Sequence, residues 1–278
     1  MNAIVLLCYQ PHHELLVFYQ KFHLLNYHVY FLVDDNHWQT EDVEGITFIQ
    51  IDDYVCVEQG FYDLNPAILK DSKCSAWDKA VYFFSRSKTC YDHVWFIEDD
   101  VFIPAPESLV NIDARYGDAD IISANNIVNS TGELKSWWWW QLVPENVFPL
   151  PWGRSMVCVV RMSKATLLAV GETLHQRRSE MHGNWLRKLF SGLLKHLPVR
   201  TTDYAIVRYL QYQKYPFIEY LFHTVALQHH LQIVAAEELS GIVWRKDWTV
   251  AEMNQQGLYH PVKDKDSHSL LRLQMQGK

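Results

Sequence analysis

Glycine is scarce in this chain, 11 of 278 residues, and the two closest, Gly183 and Gly192, stand nine positions apart. A phosphate-binding Walker loop needs two glycines five apart, and the dinucleotide fingerprint needs them two and three apart, so both are excluded. His-Glu-x-x-His and Gly-x-Ser-x-Gly are missing too, which removes the zinc-protease and α/β-hydrolase motifs. The five cysteines (Cys8, Cys56, Cys74, Cys90, Cys158) form no C-x-x-C pair and are odd in number. Cys8 and Cys158 lie in apolar runs, where a thiol reads as a small buried hydrophobe, and the set suggests a reducing compartment. No stretch reaches the ~18 uncharged apolar residues that span a bilayer, and no basic leader opens the chain; the sequence expectation is a cytoplasmic protein. Positive charge is in deficit, 25 Lys and Arg against 32 Asp and Glu for a net −7. That leaves no overall cationic footprint for nucleic acid.

Aromatic residues, in contrast, are abundant: 11 Trp, 15 Tyr and 13 Phe. Many belong to a core, but sugar-binding clefts are also walled with aromatic faces, so the run Trp137 to Trp140 is set apart for the site. A chain of 278 residues fits one large α/β domain or two intimately packed lobes.

Continuous apolar runs at 3–9, 28–33, 46–51 and 93–97, with a short one at 120–123, read as buried strands. Helical periodicity follows the first (Leu15, Leu16, Phe18, Tyr19, Phe22, Leu25), and Ser75 is placed to cap a helix reaching about Lys88. This β-α-β-β-α-β order predicts an open, largely parallel, Rossmann-like sheet flanked by helices, with ligands at the carboxyl ends of the strands. The second half contributes a Trp-rich loop over 136–153 and a strand at 156–160. Helices are expected at 163–174, 184–197 and 202–213, then a strand near 231–235 and a polar tail from about Asp264. The organisation expected is a donor-binding half over 1–125 and an acceptor-binding, catalytic half over 126–278. The stretch 175–200 is basic and amphipathic; it reads as a helix packed on its own domain in preference to one lying on an anionic membrane.

The most informative residues are Glu98, Asp99 and Asp100, which end the run His93–Ile97 and precede Val101-Phe102-Ile103-Pro104. Three carboxylates at the mouth of a buried strand repel one another and are costly to desolvate. A hard divalent cation holding a diphosphate offsets that cost. An apolar strand, then Glu-Asp-Asp, then a Pro-containing segment resembles the DxD-type metal site of GT-A fold glycosyltransferases. The Glu-Asp-Asp version is similar to that of inverting N-acetylglucosaminyltransferases. The resemblance implies a GT-A domain, a nucleoside-diphosphate sugar as donor, a glycan or glycoprotein as acceptor, and Mn²⁺ or Mg²⁺. It implies that Asp100 contacts the metal and that Glu98 and Asp99 face ribose, sugar hydroxyls or metal-bound water. A late His-x-x-Lys, His260 to Lys263, would give an imidazole to the metal and an ammonium to the diphosphate.

Inversion needs a carboxylate to take the acceptor's proton. The resemblance puts it at the start of a helix in the second half, where Asp203 stands, with Thr202 at a position the family often fills with an acid. Tyr9 would stack on uracil, Asp35 accept from its ring N–H, and Lys79 touch phosphate. On the acceptor side, Trp139, Trp140, Trp152 and Arg154 are the candidates, because four successive indoles cannot all be buried on a strand. In size and aromatic richness the chain also resembles the xylosyltransferases by which large algal viruses of the chlorovirus group build their capsid glycan. That likeness implies UDP-xylose as donor and a fucose-containing acceptor. Two other classes fit parts of the pattern: a carbohydrate-binding protein without turnover, using the Trp-rich segment, and a nucleotidyltransferase. The latter generally needs a glycine-rich first turn, which Tyr9-Gln10-Pro11 is not.

Overall fold

The computed structural model describes residues 1–39, 42–62, 64, 74–87, 91–145, 147–176 and 216–277. The helices expected at 184–197 and 202–213, with Asp203, lie outside the described residues.

The apolar runs become β1 (Asn2–Cys8), β2 (Tyr27–Val33), β3 (Ile46–Ile49) and β4 (His93–Glu98). They lie beside β5 (Ile121–Asn129), β6 (Trp152–Ser163) and β7 (Ile233–Ala235) in a seven-stranded sheet of order β3-β2-β1-β4-β6-β5-β7. All neighbouring pairs are parallel except those that β6 makes with β4 and β5. The expected open, mostly parallel sheet is therefore present.

Helices cover both faces. On one face lie α1 (His13–His23) and α4 (Glu107–Arg115). On the other lie α3 (Ala76–Arg86), α5 (Lys164–Gln176) and α6 (Ile218–Gln228), with α2 (Asp53–Glu58) beside α3. Ser75 occupies the N-cap of α3 as the sequence suggested, and the Asp78 carboxylate accepts its backbone N–H at 2.8 Å.

The polar tail departs from expectation. It folds into α7 (Ser267–Gln276), whose His268, Arg272 and Met275 are buried. Leu270 and Leu273 are among the exposed residues of that helix, while a histidine and an arginine are among those turned inward. Composition therefore carries little sign of its packing beside Phe102 and Tyr259. The last strands are only two residues each, β8 (Gly241–Ile242) and β9 (Tyr259–His260), and they pair in parallel outside the main sheet.

A candidate active site at the strand ends

Register decides which side chains can meet. Cys8 pairs with Val33, and Leu7 with Glu98, so Tyr9, Asp34 and Asp99 leave the sheet at one edge. On the other side of β4, the antiparallel register of Ile97 with Val159 sets Glu98 beside Cys158. The acid triplet thus sits in the crevice where the parallel run of the sheet meets its antiparallel strand, a place where open α/β sheets bind ligands.

The C-terminal segment closes over the triplet. Phe102 and Tyr259 exchange backbone hydrogen bonds of 2.8 and 3.0 Å, and the Val262 N–H donates to the Asp100 carbonyl at 2.7 Å. These bonds place His260 above the acids, with its Nε2 3.4 Å from Asp100 Oδ1 and 4.0 Å from Glu98 Oε2. Its Nδ1 lies 2.7 Å from the Val243 carbonyl, which can only accept, so Nδ1 carries a proton. Nε2 is then left to face two carboxylates, either as a donor in the imidazolium or as a lone pair sharing a cation with them. The His260 side chain is buried; burial disfavours its charge, but the Asp100 hydrogen bond and carboxylate outweigh that and raise its pKa. Burial likewise pushes Asp100 up, and His260 more than reverses it, holding that carboxyl below its ordinary range. Glu98 is raised, by burial first and by Asp100, although the Trp77 indole donates to its Oε1 at 2.7 Å.

Glu98, Cys158 and His260 offer ligand atoms that all lie within 4.8 Å of one another. A carboxylate and an imidazole suit a borderline divalent cation such as Mn²⁺, with Asp100 beside them. Burial keeps the Cys158 thiol protonated, so it is a poor ligand unless a metal displaces its proton. The donor set fits a divalent metal through its oxygen and nitrogen members.

The other expected donor residues surround this point in different ways. Asp99 pairs with Lys265, a residue the sequence pattern passed over in favour of Lys263. Lys263 is exposed, and its charge acts on Asp100. Lys79 is fully buried and bonded to Asp34 (2.7 Å), Asp53 (2.8 Å) and Asn36 (3.2 Å), so all three of its acceptors are protein oxygens. Tyr9 is 67% exposed. Asp35 accepts from Gln10 Nε2 at 2.6 Å and from the His37 N–H at 2.9 Å, and these bonds lower its pKa.

The Trp run is a short 3-10 helix, Trp138–Leu142, and not a strand. At three residues per turn each indole is rotated by about 120° from the last, so the alternation expected of a strand does not apply. Trp140 is buried and stacks on buried Trp152, whose Nε1 donates to the Phe148 carbonyl at 2.7 Å. Both are core residues, which corrects the expectation that they face an acceptor. Trp137 and Trp139 are half-buried and pack on Phe217, with centroids at 6.1 and 4.5 Å. Arg154 lies over the Trp137 ring at 5.0 Å, and its buried Nε has no hydrogen-bond partner among the described residues. Of the four acceptor candidates, Trp139 and Arg154 keep a surface that a ligand can reach.

The sequence reading also missed Trp77, Cys158 and Glu219. Glu219, in the first turn of α6, is half-buried, and desolvation raises its carboxyl to about 7, with Glu98 adding to the rise and Arg154 opposing it. Trp77 is brought to Glu98 by the packing of α3, Cys158 by the β4–β6 register, and Glu219 to their side by the docking of α6, all of them long-range.

No protein-family model and no curated protein matches this chain. Among solved structures it is similar to an active-site mutant of LgtC, at 13% identity and a TM-score of 0.38, covering 87% of this chain and 100% of that one. It is also similar to the apo form of mouse xyloside xylosyltransferase 1, at 10% identity and a TM-score of 0.38, covering 95% and 99%. At a TM-score of 0.38 the overlap with both structures is loose.

Proposed function

We propose that this protein is a metal-dependent glycosyltransferase of the GT-A kind. It would move a sugar from a UDP-sugar, with UDP-xylose the first donor to test, to a hydroxyl of a glycan such as a fucose-containing one, with inversion. The observation that carries the reading is the convergence of Glu98, Asp99, Asp100, His260 and Lys265 on one strand end. Three acids held this close in a crevice favour a ligand that brings positive charge, and flanking lysines favour one that also brings negative charge; a metal diphosphate brings both.

Asp100, Glu98 and His260 would hold the metal. A divalent cation there would neutralise the diphosphate as it leaves. Lys263, exposed beside the triplet, would take a phosphate oxygen, and Tyr9 would offer its exposed ring to the base while Asp35 accepts its N–H. Trp139 would present an indole face to a pyranose. Asp203 is the sequence's candidate for the proton acceptor.

Thermal stability with UDP, with and without Mn²⁺, tests the donor side. A ligand at 100 times its dissociation constant stabilises the fold by about 2.7 kcal/mol, or roughly 5–10 °C for a domain of this size. The expected result is a UDP response that needs Mn²⁺ and disappears in Asp100→Ala. A metal-independent response, or one that survives in Asp100→Ala, would overturn the reading.

A further inference from the structure

The α6 helix is seated on β6 by specific bonds. The Thr224 hydroxyl meets both backbone groups of Gly153, at 3.1 and 3.2 Å, and His223 Nδ1 meets the Ser155 hydroxyl at 3.0 Å. Helix numbers fall as strand numbers rise, so the helix runs antiparallel to the strand. One turn before His223, Glu219 is therefore carried past Ser155 toward Cys158; its charge acts on Cys158, and that of Glu98 acts on it. Phe222, three residues after Glu219 and on the same helix face, packs against Trp77 at 5.8 Å. Trp77 in turn donates to Glu98. The bonds along β6 and the Phe222–Trp77 contact thus both turn the Glu219 end of α6 toward the acid triplet.

We propose that Glu219 is the proton acceptor for the attacking hydroxyl and that Arg154 is its positioning residue. This rests on the glycosyl-transfer reading above. In the step, the acceptor O–H proton passes to the Glu219 carboxylate while that oxygen bonds to the anomeric carbon. The bond from that carbon to the diphosphate oxygen breaks, and its electron pair leaves with the nucleoside diphosphate. Water serves as acceptor in the same way and gives free sugar. Among the described residues Arg154 reaches Glu219 through its charge and not a hydrogen bond, which leaves the carboxylate oxygens to the incoming hydroxyl. Its own stack on Trp137 fixes the guanidinium, and its unpartnered buried Nε is a donor for a second acceptor oxygen. Among the described residues, the charged groups acting on Glu219 from the elements around it are Arg154 of β6 and Glu98 of β4, and Glu219 in turn acts on the Cys158 thiol of β6.

Because burial holds the carboxyl near 7, turnover should rise with pH through neutrality as it ionises. UDP release from UDP-xylose, with water and with methyl glycosides as acceptors, reads this directly across the pH range. Glu219→Gln should retain the Mn²⁺-dependent UDP thermal shift, lose roughly 100-fold or more in UDP release, and lose the rising limb. Arg154→Met should move that limb upward by about one pH unit, as removal of a nearby cation does. A structural role for either residue would lower the rate without moving the limb. Failure of wild type to show the UDP–Mn²⁺ shift would count against the transferase reading itself. With that shift present, unchanged UDP release in Glu219→Gln would overturn the assignment of Glu219, as would a wild type that releases no UDP at any pH. Loss of release in Asp203→Asn with Glu219→Gln at the wild-type rate would return the role to Asp203.

Discussion

Lys79 illustrates how a single side chain fixes the donor edge. Its ammonium is sealed from solvent yet its pKa is raised, because Asp34 and Asp53 more than offset the cost of burial. Removing it leaves two carboxylates facing each other at the ends of β2 and α2. Loss of one partner of a fully buried pair costs about 3–5 kcal/mol. Here the acids keep side-chain exposures of 24% and 34%, so water reaches them and the cost is smaller. Lys79→Met is expected to lose roughly 2–3 kcal/mol in urea unfolding, and adding Asp34→Asn should recover part of it. An unchanged midpoint in the single variant would show that the three contacts are not formed in solution. The same residue marks the limit of sequence reading. A buried face in α3 is visible from its apolar spacing, but the partners of a polar residue on that face come from segments more than 20 positions away.

At the scale of elements, legibility follows the range of the interaction that makes each one. The strands β1, β2 and β4 read directly from sequence because burial on both faces demands continuous apolar runs. The strands β5 and β6 extend well beyond their expected cores, since their distal parts pair with each other around irregular register near Ala124. The helix α6 was not foreseen, although it holds the second half to the sheet. At its centre, His223 lies between the hydroxyls of Ser155 and Ser123, at 3.0 and 3.1 Å. Burial depresses its pKa to about 3 from an ordinary 6.5, so the folded state holds it neutral. Between those values the unfolded chain binds more protons than the folded one. Stability is therefore complete above about pH 6.5 and falls as pH drops toward 3. At pH 5 the loss from this one group is roughly 2 kcal/mol. His223→Gln should flatten the acid limb of a stability–pH curve by about that amount, and an identical limb in both proteins would remove His223 as its source. The seat leaves no room for growth: a Cβ at Gly153 would lie 2.7 Å from the His223 Cβ. Gly153→Ala is expected to cost about 1–3 kcal/mol in chemical unfolding as α6 shifts outward; a cost near zero would mean that the helix rides more loosely than its bonds imply.

Across the molecule, the acid triplet is completed by a segment more than 150 residues later in the chain. The triplet was legible, because carboxylates after an apolar strand demand a counter-charge wherever they occur, whereas His260 was singled out only through the family resemblance of its His-x-x-Lys. What holds His260 in place was not, because it is packing in a polar-looking tail. Arg272 lays its guanidinium 3.5 Å from the Phe18 ring centroid and donates to the Ile103 carbonyl at 3.0 Å, tying α7 to α1 and to the segment following the triplet. Met275 and Phe102 are buried together with Tyr259, the neighbour of His260. Charge and packing make separable predictions here. The Lys265–Asp99 pair is about a quarter exposed on each side, so Lys265→Met should cost about 1 kcal/mol or less. Deleting 264–278 uncovers the Phe102 cluster, with two large side chains worth about 1.5–3 kcal/mol each. The melting temperature of that truncation should fall on the order of 10 °C, and the UDP–Mn²⁺ response should weaken as His260 loses its support. If Lys265→Met matched the truncation in both respects, the segment would be acting as a counter-charge to the acids, and the packing of α7 would be incidental to the site.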